Sequence, residues 1–384
     1  MNRWATLFQD GPRTVAGVMS GTSLDGIDVA VMRLEGHGRE LRWELLQTAS
    51  HAFEPALRDE LLAAAEDAQY PVDSFCRLGP RLARAYAEAL ADTEAELIGC
   101  HGQTLRHQPD PAQFAGAQVS ATLQVVDGAA LSVHAGVPVV TGFREGDVAL
   151  GGQGAPLVPY VDWILFGHDT EQRVALNLGG IANVTWLPAG GAATDILAFD
   201  TGPANMLIDA VAQEALGVPF DDAGAAASRG RVLPEALERA LGHPFFARRP
   251  PKSAGRQSGD AGFGRGFADR FVQACGDATP EDMLATAVEV TVVSLSRAMR
   301  SFLPSEPHRI IASGGGTRNA FLMARLADRL PGVTTSHEFG VDAHFKEAMA
   351  FAILAHEAVG GVATGLPSVT GASRAAVLGS ISWP

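Results

Sequence analysis

The chain has 384 residues, 47% of them hydrophobic and 19% charged, and a net charge of −14. These figures allow a large buried core and exclude global disorder, and the acidic balance leaves no basic stripe to neutralise nucleic-acid phosphates. Cys76, Cys100 and Cys275 lack metal or disulfide spacing, and no run approaches the roughly 20 apolar residues of a membrane span, so the expectation is a soluble cytoplasmic protein without a signal peptide, of two domains or one large α/β domain.

Residues 14–19 are a short apolar run that reads as a buried strand. The run breaks into Ser20, Gly21, Thr22 and Ser23, and alternation resumes from Ile27 and Asp28 to Met32. The pattern predicts a β-hairpin whose turn offers backbone N–H groups, two hydroxyls and the carboxylate of Asp25. Such a turn is either an ordinary polar hairpin or an anion-binding concavity suited to a phosphate with its Mg²⁺. It is not a Walker loop, because the glycine–lysine signature is absent and a strand follows where a helix should.

Residues 41–53 read as a third strand. Residues 55–67 and 71–90 read as helices, the second with Phe75, Leu78, Leu82 and Tyr86 on one face. A short strand over 96–100 runs into His101, Gly102, Gln103 and Thr104, and residues 108–116 are expected as a Pro- and Ala-rich loop. A strand over 122–126, a helix over 127–135 capped by Asp127, and a strand over 137–141 follow. Residues 142–159 carry glycine and proline without periodicity and mark the expected boundary.

A second β-rich start comes at 174–178, 182–187 and 196–199, around Gly179 and Gly180. Helices are expected over 203–216, 233–241, 266–275 and 280–302. A strand over 309–312 opens into residues 313–319 (SGGGTRN) and a helix to 330, and a last helix covers 345–359. Both halves thus begin with a glycine-bearing hairpin and continue into α/β structure, which suggests a duplication although no identity between the halves is visible. The expected lobes are residues 1–145 with 358–384, and residues 146–357. Glycines at 151–154 and 360–361 are the expected joints between them.

Several side chains suggest chemistry by type and place. Asp200 follows an apolar run and precedes a proline-started helix, which suits a general base at a strand end or a helix N-cap. His101, Gln103 and Thr104 leave a strand end and can hydrogen-bond hydroxyls. Glu347 in a first helical turn is either a dipole-stabilised surface group or a ligand contact. Gly314, Gly315 and Gly316, between a strand and a helix, admit a flat or anionic group at close approach.

With VMSGTSLDGID, HGQT, FREGD, GGQGAPLVP, LNLGGIANV, FDTGPAN, PPKSAGR, SGGGTRN and EAMAFAILA in this order, the chain closely resembles the anhydro-N-acetylmuramic acid kinase family from about residue 15 to 379. The resemblance implies an α/β, two-lobed actin/hexokinase-like (ribonuclease H-like duplicated) fold with an interlobe cleft. It implies ATP and Mg²⁺ as cofactors and 1,6-anhydro-N-acetylmuramic acid as the small-molecule substrate, opened by water and phosphorylated on O6 in cell-wall recycling. A homodimer is expected, with neither nucleic acid nor membrane as partner.

On that resemblance, Gly21, Thr22, Ser23, Leu24, Asp25, Gly26, Ile27 and Asp28 form the ATP-phosphate loop, with Asp25 as the metal ligand. Asn177, Gly179 and Gly180 form the equivalent turn of the second half, while Gly314, Gly315, Gly316 and Asn319 fall at the adenosine end. Asp200 activates the water and Glu347 contacts sugar or water. Arg144, with Asp147 as its orienting partner and Gln153 nearby, suits the lactyl carboxylate, because a guanidinium fork matches a carboxylate bidentately. His101, Gln103 and Thr104 are placed at the sugar. Gly142, Ala204, Ala254, Gln257 and His344 depart from the family pattern and touch sugar details more than the reaction. An ATP-gated binding module is the competing class, but the two lobes leave no length for a partner-binding domain. A kinase of this fold for an intact hexose or a carboxylate is the other.

Overall fold

In the computed structural model, which describes residues 5–9, 11–21, 24, 26–67, 69–254 and 262–384, the chain forms two compact units. One comprises Met1–Ile164 with Phe345–Pro384 and the other Leu165–His344. In chain order the first unit contains β1 (Arg13–Met19), β2 (Ile27–Glu35), β3 (Arg42–His51), α1 (Pro55–Glu66) and α2 (Val72–Ala89). It continues with β4 (Leu97–Cys100), β5 (Gln103–Phe114), β6 (Ala117–Val125), α3 (Gly128–Ala135), β7 (Val139–Thr141), α4 (Glu145–Ala149) and α5 (Val158–Phe166). The second unit contains β8 (Arg173–Leu178), β9 (Ile181–Leu187), β10 (Leu197–Pro203), α6 (Asn205–Leu216), α7 (Pro234–Leu241) and α8 (Arg265–Cys275). After these come α9 (Pro280–Phe302), β11 (Arg309–Ser313), α10 (Ala320–Arg329) and β12 (Val333–Thr335). The chain then returns to the first unit as α11 (Lys346–Val359), α12 (Pro367–Thr370) and β13 (Ser380–Ser382).

The six-stranded sheet has the order β13-β7-β4-β1-β2-β3 and the five-stranded sheet the order β10-β9-β8-β11-β12. In each, a three-strand antiparallel meander leads and two parallel crossovers follow. Strand for strand, β3-β2-β1-β4-β7 repeats as β10-β9-β8-β11-β12, which is the duplicated ribonuclease H-like topology. β1 and β4 carry almost continuous buried apolar residues, as strands covered on both faces do.

Helix α11 crosses β1 and β4 at backbone contact. A Cβ on Gly17 would lie 1.8 Å from the Ala348 carbonyl oxygen, and one on Gly99 would lie 2.0 Å from that of Phe351. On the other face, Leu78, Leu82 and Tyr86 of α2 are buried in the first unit's core, while Phe75 of the same stripe is left at the surface. In the second unit α9 is buried nearly all round from Met283 to Met299, and Thr279 caps it by accepting from Asp282 N–H at 3.2 Å.

Two expectations change. Residues 108–116 belong mostly to a two-stranded ribbon, β5 with β6, rather than to a loop. Pro109 and Pro111 fall where its register slips between Gln108 and Ala112, so their missing N–H groups interrupt no regular ladder. The chain crosses between units at Ile164/Leu165, two residues before the end of α5, and at His344/Phe345, not at the glycines of 151–154 or 360–361, because α4 and α5 as far as Ile164 are held in the first unit. Among the described residues, no helix is long and apolar enough to cross a membrane.

Candidate functional site

The β1–β2 turn of the first unit is held by side chains from three other elements. Ser20 Oγ shares a buried 2.6 Å hydrogen bond with Tyr86 OH of α2. Gln103, 1% exposed at the start of β5, donates from Nε2 to Gly21 O at 3.2 Å. Arg58 of α1 donates from Nε to Leu24 O at 3.0 Å. Leu24 N–H closes back on Gly21 O at 3.2 Å, and buried Leu24 sits at φ +54°, a backbone region that leucine adopts only at a cost. Gly26 lies under the end of β3, where a Cβ would meet the His51 carbonyl at 2.8 Å. Ile27 is core. Asp28 accepts from Ser50 Oγ at 2.5 Å across the β2–β3 pair. Thr22, Ser23 and Asp25 lie outside the described residues.

A second group in the same unit centres on Arg144, at the N-terminus of α4. Its Nε donates to His101 Nε2 at 3.0 Å and its Nη1 to Gly154 O at 2.7 Å. His101 therefore carries its proton on Nδ1, where it donates to Gly102 O at 2.9 Å. Burial, with the Arg144 charge adding to it, pushes the imidazole down to about 3, so it is a neutral acceptor at working pH. Asp147, 1% exposed, does not touch Arg144 but accepts from Gly154 N–H at 2.7 Å and from Thr370 Oγ1 at 2.7 Å. The orienting partnership is thus indirect: Asp147 fixes the residue whose carbonyl holds the guanidinium, leaving Nη2 for a ligand.

Gln153 is exposed, with its backbone N–H on Thr370 O at 2.8 Å and its amide 3.5 Å from Asp110 Oδ1. Thr104 accepts from Gln124 Nε2 at 3.4 Å within the ribbon. Gly142 takes φ +70°, which explains glycine where the family pattern has an aspartate. Glu347, in the first turn of α11, keeps solvent access. Crowding still pushes its carboxyl up, with Lys346 and Arg144 opposing and Asp28 adding to the push. That solvent contact makes the effect weaker than full burial would. Glu347, Arg144 and Asp28 therefore share one electrostatic environment.

In the second unit, Asp200 lies within β10, opposite Asn183 of β9. It is not a helix cap: the N-cap of α6 is Ala204, with no side-chain cap. Instead, Asp200 Oδ2 accepts from Ala254 N–H at 2.6 Å and Asp200 N–H donates to Lys252 O at 3.1 Å. Because Ala254 serves through its backbone, its departure from the family pattern costs the site nothing. Burial pushes the Asp200 carboxyl up to about 6, against the pull of the Ala254 N–H and of Lys252. A carboxylate with one oxygen fixed and a raised pKa suits proton abstraction near neutrality.

The Gly179–Gly180 turn faces α6 with its carbonyls. Ala204 and Met206 N–H donate to Gly180 O at 2.9 and 3.1 Å, and Asn205 N–H donates to Gly179 O at 3.1 Å. Asn177 sits beside Gly314, whose Cβ would be 2.8 Å from Asn177 Oδ1. Gly314 has φ +88° and a Cβ there would also strike Leu178 O at 2.8 Å, so only glycine fits. Gly314 and Gly315 line a cavity of about 350 Å³ with Thr317, Arg318, Ser336 and Asp342, while Gly316 is packed on Leu178. His344 lies on its rim, its N–H on Asp342 Oδ1 at 2.8 Å. Asn319 caps α10, accepting from Leu322 N–H at 2.9 Å, so only its Nδ2 remains for a ligand. Gln257 lies outside the described residues.

Sequence reasoning missed Tyr86, which reads as core at helical spacing. A buried phenol needs a hydrogen-bond partner, and that need was the available signal. It also gave no role to Lys252, whose burial at 5% exposure could not be read from PPKSAGR. Among the described residues no group of three or more His, Cys, Asp or Glu is arranged to hold a metal ion.

Two copies of one topology, with a braced turn in the first and both a semi-buried carboxylate and a glycine-lined cavity in the second, define a phosphotransferase of the duplicated actin/hexokinase-like class. The chain belongs to the anhydro-N-acetylmuramic acid kinase family, whose model matches residues 13–384. It is 43% identical to the anhydro-N-acetylmuramic acid kinase of Salinibacter ruber over the whole of both chains. It is also 43% identical to that of Gloeobacter violaceus, over 96% of this chain and 98% of the relative. To the enzyme of Xanthomonas campestris it is 42% identical, over 95% and 96% respectively. This protein is a kinase.

Proposed function

We propose that the protein uses ATP, Mg²⁺ and water to open 1,6-anhydro-N-acetylmuramic acid and phosphorylate its O6, giving N-acetylmuramic acid 6-phosphate and ADP in cell-wall recycling. The observation that carries this reading is Asp200: it caps no helix, has one oxygen fixed by Ala254 N–H and titrates near neutrality. An ordinary sugar kinase needs a base for the acceptor hydroxyl, whereas a bridged sugar has no hydroxyl at O6 and needs one for water.

In this reading Asp200 takes a proton from water as the oxygen bonds to C1. The C1–O6 bridge breaks, its electron pair going to O6, and O6 attacks the γ-phosphorus while the bond to the ADP oxygen breaks. The proton on Asp200 leaves to solvent. Acceleration comes mainly from positioning and charge stabilisation. Residues 21–28 take the phosphates through backbone N–H groups, with Asn177, Gly179 and Gly180 as the second turn. Gly314, Gly315, Gly316 and the cavity beside them take adenosine. Mg²⁺, a hard cation that keeps most of its ligands from water and phosphate, neutralises the phosphate charge when bound, and Asp25 is its protein ligand. Arg144 offers Nη2 to the lactyl carboxylate, His101, Gln103, Thr104 and Gln153 complete the sugar contacts, and Glu347 meets sugar or water. The reaction is placed in the cytoplasm, where ATP is made, and the chain in a homodimer, which light scattering reads directly.

The test is Asp200→Asn in ¹⁸O-water. Asparagine keeps shape and removes charge, so turnover should fall on the order of 10²–10⁴-fold with ATP binding retained. The wild-type product should carry the label on its anomeric hydroxyl. Near wild-type turnover in the variant, or label arriving on phosphate, overturns the assignment. ADP release with N-acetylmuramic acid or glucose matching that with the anhydro sugar would favour a kinase for an intact hexose instead.

A further inference from the structure

Lys252 is 5% exposed and its ammonium is held in an aromatic slot, 4.7 Å from the centre of the Phe245 ring and 4.8 Å from that of Phe302. Its hydrogen bond is a long one, to Phe245 O at 3.4 Å. Among the described residues no carboxylate is in ion-pair contact with it. A buried ammonium without a carboxylate in contact is costly, and two aromatic faces offset only part of that cost. Packing alone would be served better by methionine, which has the same reach and no charge. The charge therefore calls for a purpose beyond the core.

Its backbone names the beneficiary. Lys252 O accepts Asp200 N–H, and Ala254 N–H, two residues on, binds Asp200 Oδ2, so the segment that buries the cation is clamped to the segment that carries the carboxylate. We propose that Lys252 is the resident counter-cation of Asp200, acting through space from its aromatic slot to keep that carboxylate ionised and ready to accept a proton. This rests on the reading of Asp200 as the base, and it makes Lys252 a positioning residue that touches no reacting atom.

The other charged groups around the pair do not fill this part. Arg248 lies near Lys252 and opposes its protonation, while burial pushes the amine down to about 8. Arg297 and Arg300 of α9 line the neighbouring cavity with Thr201 and Phe302, and Arg297 is paired with Glu238 at 2.9 Å. Asn183, across the β9–β10 ladder from Asp200, is neutral. Among the described residues Lys252 is the charge that acts on Asp200.

The experiment compares full-length wild type, Lys252→Met and Lys252→Arg. It reads the pH profile of kcat/KM for 1,6-anhydro-N-acetylmuramic acid and, separately, the Asp200 carboxyl titration by infrared difference spectroscopy, with Asp200→Asn as the assignment control. In Lys252→Met the acidic limb and the carboxyl titration should both move up by about one unit, roughly a fivefold loss at pH 6 that largely recovers by pH 8. The Tm should be unchanged or higher. Lys252→Arg should restore the wild-type limb. Folded Lys252→Met with limb and titration both unmoved overturns the proposal, and Lys252→Gln repeats the measurement if the methionine variant does not fold. A titration that moves while the limb stays put keeps the Lys252–Asp200 coupling and overturns instead the reading of Asp200 as the base.

Discussion

Replacing Asp200 by asparagine should stabilise the protein even as it removes activity, and only on the alkaline side of a defined window. Burial raises the Asp200 carboxyl from an ordinary 3.8 to about 6, so between those values the folded state holds a proton that the unfolded chain has released. Stability therefore falls as pH rises through the window, and the penalty is fully present above about pH 6. A shift of about two units corresponds to roughly 3 kcal/mol at most, and Asp200 keeps enough solvent contact to discount that to about 1–2 kcal/mol. Asparagine keeps an oxygen for the Ala254 N–H and needs no ionisation, so it recovers this amount. For a unit of this size that is about 3–6 °C in Tm. Differential scanning calorimetry of ligand-free wild type and Asp200→Asn at pH 4 and pH 8 reads it. The gain should appear at pH 8 and vanish at pH 4. A gain of equal size at both, or none at either, would show that burial does not hold the carboxyl in its neutral form.

Gly17→Ala should be among the most damaging single-methyl additions in the first unit, because the new Cβ meets the Ala348 carbonyl at 1.8 Å, a backbone atom that cannot swing aside. Overpacking of this kind costs about 1–3 kcal/mol or more, read as a Tm loss of several degrees, together with a fall in activity as α11 moves with Glu347 on its first turn. Tyr86→Phe leaves Ser20 Oγ buried without its partner, a cost of about 1–3 kcal/mol. It should raise KM for ATP more than KM for the sugar, and equal effects on both would detach Tyr86 from the phosphate turn.

How much of this was legible in the sequence depended on whether a residue's role was local. The β1–β2 hairpin, the α9 span and the Asp127 cap of α3 follow from alternation, 3.6-residue spacing and cap chemistry, and they lie where those rules put them. The ribbon failed because proline in a run argues for loop, and its pairing register, which makes the prolines harmless, is a tertiary fact. The joints failed for the opposite reason: glycines at 151–154 look like a linker, but a Cβ on Gly152 would strike Asp147 and one on Gly154 would strike Val148, so both are packed into the first unit, where Gly154 N–H also binds Asp147. Asp147 reads as a partner of Arg144 from three residues' separation, yet it acts through Gly154. Lys252 was invisible as a functional group because burial of a lysine leaves no mark in its own sequence.

The duplication also shows why the two halves look alike and act differently. In the first copy the hairpin turn is braced from outside, through Gln103 on Gly21 O and Arg58 on Leu24 O. Leu24 N–H closes the same turn on Gly21 O, so among the described residues it is the turn's carbonyls that take up the bracing. In the second copy the carbonyls of Gly179 and Gly180 are taken by the first N–H groups of α6, which satisfies a helix end that has no side-chain cap. Docking α6 there fixes the end of β10, the strand that carries Asp200. The first turn is thus held by side chains of neighbouring elements, while its copy spends its acceptors to hold the strand that carries Asp200. That division follows from what sits against each turn's carbonyls: side chains of α1 and β5 in the first copy, and the N-terminus of α6 in the second.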